Sequence, residues 1–185
     1  MKNIYWIVFP LIILLSSCLS SRLYKPASDR ENSFYIKINK SIWPDDVRYN
    51  INNYKNELVG WVGIVEQYRI ERNIENIIVH FSLNHHYYDW IEDYGYSRGP
   101  ILLSTIGEGI ILGKYILSPE LTDDQLNEMT KDFLGECIII YGYPNKIMEN
   151  GEILLDMEYT RTIPKKYVDP NWREYGRQGF MGEKK

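Results

Sequence analysis

The chain has 185 residues, of which 25 are acidic and 21 basic, giving a net charge of −4 at pH 7. That length supplies one domain with a sizeable core, and the acid excess sets aside nonspecific nucleic-acid binding, which needs clustered Lys and Arg. Sixteen Tyr and five Trp make the chain aromatic-rich, as β-rich folds are.

The first elements lie at the N-terminus. One cation, Lys2, precedes an apolar run over residues 4–15, after which small residues appear, the layout of a secretory signal peptide. About 20 apolar residues are needed to cross a bilayer core and only about a dozen are present, so a cleaved signal is favoured over a permanent span. The closing residues, Leu15-Ser16-Ser17-Cys18, resemble the lipobox of bacterial lipoproteins. That resemblance implies a diacylglyceryl group on the Cys18 sulfur, cleavage just before Cys18, and acylation of the new amine. Several acyl chains hold a protein on a membrane almost permanently. Leu19, where Asp is the inner-membrane retention signal of enteric lipoproteins, points to the outer membrane, with the domain in the periplasm or at the cell surface. An ordinary secreted protein or an uncleaved anchor is the alternative. Lipidation of Cys18 would leave Cys137 as the sole thiol, so no intramolecular disulfide is expected.

From there the chain divides into a lipidated tether over 18–45, a domain over 46–163 and an aromatic, Gly-containing tail over 164–185. Residues 19–33 are polar and aperiodic, 34–38 read as a short strand, and Trp43-Pro44-Asp45-Asp46 as a turn or helix start. A long strand over 58–70 carries Gly60 and Gly63, expected to bend it. Residues 72–76 turn into a second strand with clean alternation: Ile77, Val79, Phe81 and Leu83 on one face, Ile78, His80, Ser82 and Asn84 on the other. Strand three is read over 101–104 and 110–117, kinked at Gly107-Glu108-Gly109 with Glu108 exposed; a carboxylate placed at a site is the alternative.

One helix is fully specified. Thr122 and Gln125 form a capping box, Leu121 and Leu126 a hydrophobic staple, and Asp123 and Asp124 favour the positive end of the helix dipole. Leu126, Met129, Phe133 and Leu134 follow helical spacing up to Gly135. An apolar strand over 137–143, the hairpin signal Asn150-Gly151 and an alternating strand over 153–163 complete the domain. Three strands, a helix and two strands, with a glycine-bearing first strand, is the order of the OB-fold. The expected fold is therefore mainly β, a five-stranded OB-like Greek-key barrel with one helix between strands three and four. A β-sandwich or an open α+β sheet is the alternative. Lipobox, β-rich middle and the tail residues Trp172, Tyr175, Gly176, Gly179 and Phe180 also resemble the Slp-type outer-membrane lipoproteins, from which the helix departs.

The richest chemical cluster is His85, His86, Asp89, Glu92 and Asp93, raw material for zinc ligation or acid–base catalysis. Adjacent histidines at a strand end point to opposite faces, however, and no HExxH spacing is present. A solvated aromatic loop is the plainer expectation. No G-x-S-x-G elbow or phosphate loop occurs, and Cys137 sits in an apolar strand as a core thiol. On an OB barrel the ligand surface is formed by strands two and three with the loops joining strands one to two and four to five. That places His80, Ser82, Asn84, His86, Tyr88 and Trp90 on a binding face, flanked by Arg72, Asn73, Asn145, Lys146 and Asn150. The expectation is a noncatalytic, lipid-anchored binding or assembly module without cofactor or metal, partnered by the membrane through its lipid and by an envelope protein or glycan, not by nucleic acid. An envelope hydrolase or metal enzyme using His86, Asp89 or Glu92 is the rival.

Overall fold

The computed structural model describes residues 26–88, 103, 104, 106–131 and 133–163. The signal segment, Cys18, residues 89–102 with Trp90, Asp89, Glu92 and Asp93, and the tail from 164 lie outside these residues. Five strands, β1 (Val59–Arg72), β2 (Ile77–His86), β3 (Ile110–Leu117), β4 (Cys137–Ile147) and β5 (Ile153–Ile163), close into a barrel in the order β1-β2-β3-β5-β4. All neighbours are antiparallel except β3 and β5. Helices α1 (Asp29–Tyr35) and α2 (Pro44–Tyr49) precede β1, and α3 (Asp123–Thr130) joins β3 to β4. The fold is thus an OB-type barrel with its helix between strands three and four, and the sandwich and open-sheet alternatives are set aside by the β1–β4 ladder. Among the described residues no helix is long and apolar enough to cross a membrane.

Closure depends on β1. Its first half pairs with β4, Val59 opposite Gly142 through Ile64 opposite Cys137, while Val62 to Arg72 pair with β2. A bulge between Val65 and Gln67 marks the change. The register irregularity falls there and not at Gly60 or Gly63, through which the β4 ladder is continuous. A Cβ on Gly60 would meet Ile38 Cδ1 at 2.6 Å, and one on Gly63 the Asn84 carbonyl oxygen at 2.9 Å. They admit close neighbours.

Inside the barrel Val59, Trp61, Val79, Phe81, Leu83, Ile111, Ile138, Ile140, Ile153 and Leu155 form the main core. Ile42 and Val47 plug the end near the β4–β5 turn, where Trp61 Nε1 donates to the Ile42 carbonyl at 2.9 Å and Arg48 Nε to that of Gly151 at 2.8 Å. Phe133, after α3, closes the other end against Tyr68 and Phe81. The capping box of Thr122 and Gln125 is present, but α3 stops at Thr130, short of Leu134, which is exposed. Gly151 takes a φ of 84° in the hairpin that Asn150-Gly151 signalled.

A second core lies outside the barrel. Ile139, Tyr141 and Cys137 on the outer face of β4 pack with Val62, Ile163, Leu58 and Ile38, and Phe34 of α1 stacks on Tyr159 at 5.6 Å. The tether and strand readings for 26–38 are corrected here: Ser28 caps α1, accepting from Glu31 N, and the segment is folded against the barrel. Glu31, 0% exposed, receives Arg161 at 2.7 Å, Tyr141 Oη at 3.0 Å and the Ala27 N–H at 2.7 Å. Its charge is satisfied three ways, which a buried carboxylate requires.

Breaking a buried ion pair from one side costs about 3–5 kcal/mol because it strands the other charge. Arg161→Ala is expected to lose about that much in urea unfolding, whereas Arg30→Ala, an exposed cation over Tyr159, stays within about 1 kcal/mol. Equal losses for the two variants would contradict the account.

Candidate functional site

Strand alternation sorts the residues at the end of β2 into two environments. His80, Ser82 and Asn84 are half-buried on the outer face, as expected. Their partners on β3 are Lys114, Leu112 and Ile110, and on β1 Arg69, Gln67 and Ile64. The β3–β5 ladder continues these rows to Asp156 and Leu154. The face therefore carries the polar row Arg69, His80, Lys114 and Asp156 beside a band of aliphatic side chains, with Ile78 and Ile116 at one end; Ile116 is 54% exposed. Two cations and two carboxylates lie along it, since Glu71 reaches both Arg69 at 3.5 Å and His80 Nε2 at 3.3 Å.

His86 and Tyr88 do not belong to that surface. Both are buried, because Leu103 and Ser104 return over the strand end and pair with Tyr87 and Tyr88. The His86 Nδ1–H donates to the Ser104 carbonyl at 2.6 Å. Burial holds the His86 pKa below its ordinary 6.5, against the opposing pull of the Ser104 carbonyl and Glu66. Tyr88 joins the outer core. The solvated-loop expectation is thus corrected for residues 85–88.

The kink at Glu108 is corrected as well. Glu108 is buried, accepting from Tyr87 Oη at 2.6 Å and from the Asp45 N–H at 2.8 Å, while its own N–H donates to His85 Nδ1 at 3.0 Å. Neighbouring histidines consequently hold opposite tautomers, His85 protonated on Nε2 and His86 on Nδ1. Trp43 packs edge-on against Tyr87 at 5.0 Å and His85 at 6.0 Å. Gly107 is compelled by the closeness of this packing, since a Cβ there would fall 1.7 Å from the His85 carbonyl oxygen. The cluster is an internal lock that fastens α2 to β2 and the segment before β3. Sequence spacing showed the histidines, and the paired glycines marked Glu108, but nothing local joined either to Trp43; Trp43 and Glu108 come from 42 residues before and 23 after His85.

Four of the five flanking residues make hydrogen bonds within the fold. Arg72 binds the Leu121 carbonyl and Asp123, Asn73 Oδ1 accepts two N–H groups of the β1–β2 turn, Asn145 donates to Asp156, and Asn150 accepts from Glu152 N. Lys146 is exposed. Burial pushes the Cys137 thiol far up, with Glu136 adding to it, so it carries no nucleophilic thiolate at neutral pH. Among the described residues no group of three His, Cys, Asp or Glu side chains could hold a metal ion. A cavity of about 220 Å³ lies beneath α3, bordered by Val79, Tyr115, Met129 and Phe133; Thr130 and Thr160 on its wall donate to backbone carbonyls.

Fold and face together define a five-stranded OB-type barrel with a mixed aliphatic and charged outer surface on β2 and β3. No protein-family model matches the chain, and no curated protein does. Among solved structures it is similar to the small single-stranded DNA-binding protein from Streptomyces coelicolor, at 12% identity over 57% of this chain and 91% of that one, with a TM-score of 0.35. The exclusion of nucleic acid drawn from net charge does not stand, since the charge of a whole chain does not decide what one face of it binds, and this face carries Arg69 and Lys114.

The histidine gives a pH test. With His86 depressed in the folded state, the unfolded chain binds more protons below 6.5, so stability is full above that value and is lost as pH falls through the lowered folded pKa. The urea midpoint is expected to drop as pH falls below about 6.5, less steeply in His86→Asn, whose amide can still donate to Ser104. An unchanged slope in that variant would contradict the assignment.

Proposed function

We propose that this chain is a lipid-anchored envelope lipoprotein whose barrel is a noncatalytic binding module, and that its ligand is another protein of the cell envelope. The observation that carries the reading is the outer face of β2 and β3, where Ile78, Ile110, Leu112, Ile116 and Leu154 surround His80, Ser82 and Lys114. Aliphatic side chains bounded by charges of both signs suit a protein surface. A sugar would want aromatic platforms, whereas the described rows of this face hold none and Tyr87 and Tyr88 are buried. Barrel closure leaves no strand edge among the described strands to extend, so recognition falls to side chains. The lipobox Leu15-Ser16-Ser17-Cys18 supports the anchor. Catalysis by His86 is disfavoured by its burial and its bond to Ser104.

A photo-crosslinking amino acid in place of Lys114 or Leu112, introduced in living cells, is expected to give a discrete adduct with one envelope protein. The same group at Glu149, by the β4–β5 turn, should give none. Adducts with glycan or nucleic acid, or equal labelling from all three positions, would overturn the reading.

A further inference from the structure

We infer that the surface formed by α1 and residues 36–41 rests on the anionic bilayer that holds the lipid, so that the β2–β3 face points away from the membrane. The inference rests on the lipid anchor proposed above. Its inner side is committed to the barrel: Phe34 stacks on Tyr159, Ile38 is buried against Gly60, and the Asn39 N–H donates to the Leu58 carbonyl at 3.2 Å. Its outer side joins an exposed aliphatic residue to cations. Ile36 is 70% exposed, flanked by exposed Lys37 and Lys40, and no acidic residue occurs from 35 to 41. Lys40 Nζ lies 3.7 Å over the Tyr35 ring, joining cation and aromatic in one patch. Arg30, near the start of α1, is a further exposed cation whose guanidinium lies over Tyr159, and Asp29 and Glu57 are exposed carboxylates.

An exposed aliphatic side chain, a tyrosine and several cations are what an interfacial membrane contact uses. Chain length supplies the proximity. Seven residues, 19–25, lie between Cys18 and Pro26, where the described chain begins, and even fully extended the eight Cα-to-Cα steps span only about 29 Å. The α1 surface therefore stays close to the bilayer whatever path those residues take. Topology supplies the direction. The segment covers β4 and β5, and in the circular order β1-β2-β3-β5-β4 the strands across the barrel from β4 are β2 and β3.

The full-length acylated protein, reconstituted in vesicles of phosphatidylethanolamine and phosphatidylglycerol, tests this through single fluorescent labels on Ile36→Cys, Ile74→Cys and Ile116→Cys. Cys137 is buried and does not compete for label. The Ile36 label is expected to be shielded from an aqueous quencher by about threefold or more, and Lys37→Glu with Lys40→Glu to remove that shielding. Ile74, 98% exposed in the β1–β2 turn, and Ile116 should stay open. Equal quenching at all three positions in protein that floats with the vesicles would overturn the orientation alone. Protein that neither floats nor carries the acyl mass would overturn the anchor, and the orientation with it.

Discussion

The architecture depends on one strand pairing twice. A fourteen-residue β1 is long enough to hydrogen-bond β4 through Val59–Ile64 and β2 through Val62–Arg72, with both neighbours sharing Val62–Ile64 and the bulge following Val65. Without that double pairing β1 and β4 would be open edges carrying some of the most apolar sequence in the chain, the arrangement that invites aggregation. Closure also fixes which residues can face water. Each strand has a filled interior on one side, so surface chemistry is confined to the outer face and to whatever covers it.

What covers it differs around the circumference. On the β4 side, Ile139 and Tyr141 are buried outward beneath α1, with Glu31 and Arg161 as a buried ionic clamp. An isolated pair of this kind adds little net stability compared with apolar packing, but it fixes one register for the segment that lies on it. On the β2–β3 side, His80, Ser82 and Lys114 keep partial access to water. Between these sides, the Trp43, His85, Tyr87 and Glu108 lock ties α2 and the approach to β3 together. That division of one barrel into a covered flank and an open one is the physical basis of the functional reading.

The strands were legible because their periodicities were strong. Alternation in 77–84 and 153–163, the Asn150-Gly151 turn and the Thr122 capping box each predicted an element of the right type, and their order led to the OB topology. The N-terminal segment was not legible, since Ser28, Glu31 and Phe34 read as polar spacer and strand until Arg161 and Tyr141, more than a hundred residues away, provide their partners. The same holds for Glu108. Two flanking glycines suggest a bend, and only the closeness of His85 shows that Gly107 exists to let a carboxylate reach Tyr87 and Asp45. On the candidate face, His80, Ser82 and Asn84 followed from alternation alone, whereas His86 and Tyr88 failed because a returning chain buried positions that local pattern left exposed.

Anchor, covered flank and open face form one proposal in which an acylated Cys18 sets the position of everything else. Its most direct test is the intact mass of the native protein recovered from fractionated cells. The account predicts a chain beginning at Cys18, heavier by its acyl groups and confined to the envelope fraction. An unmodified chain intact from Met1 in the soluble fraction would contradict it.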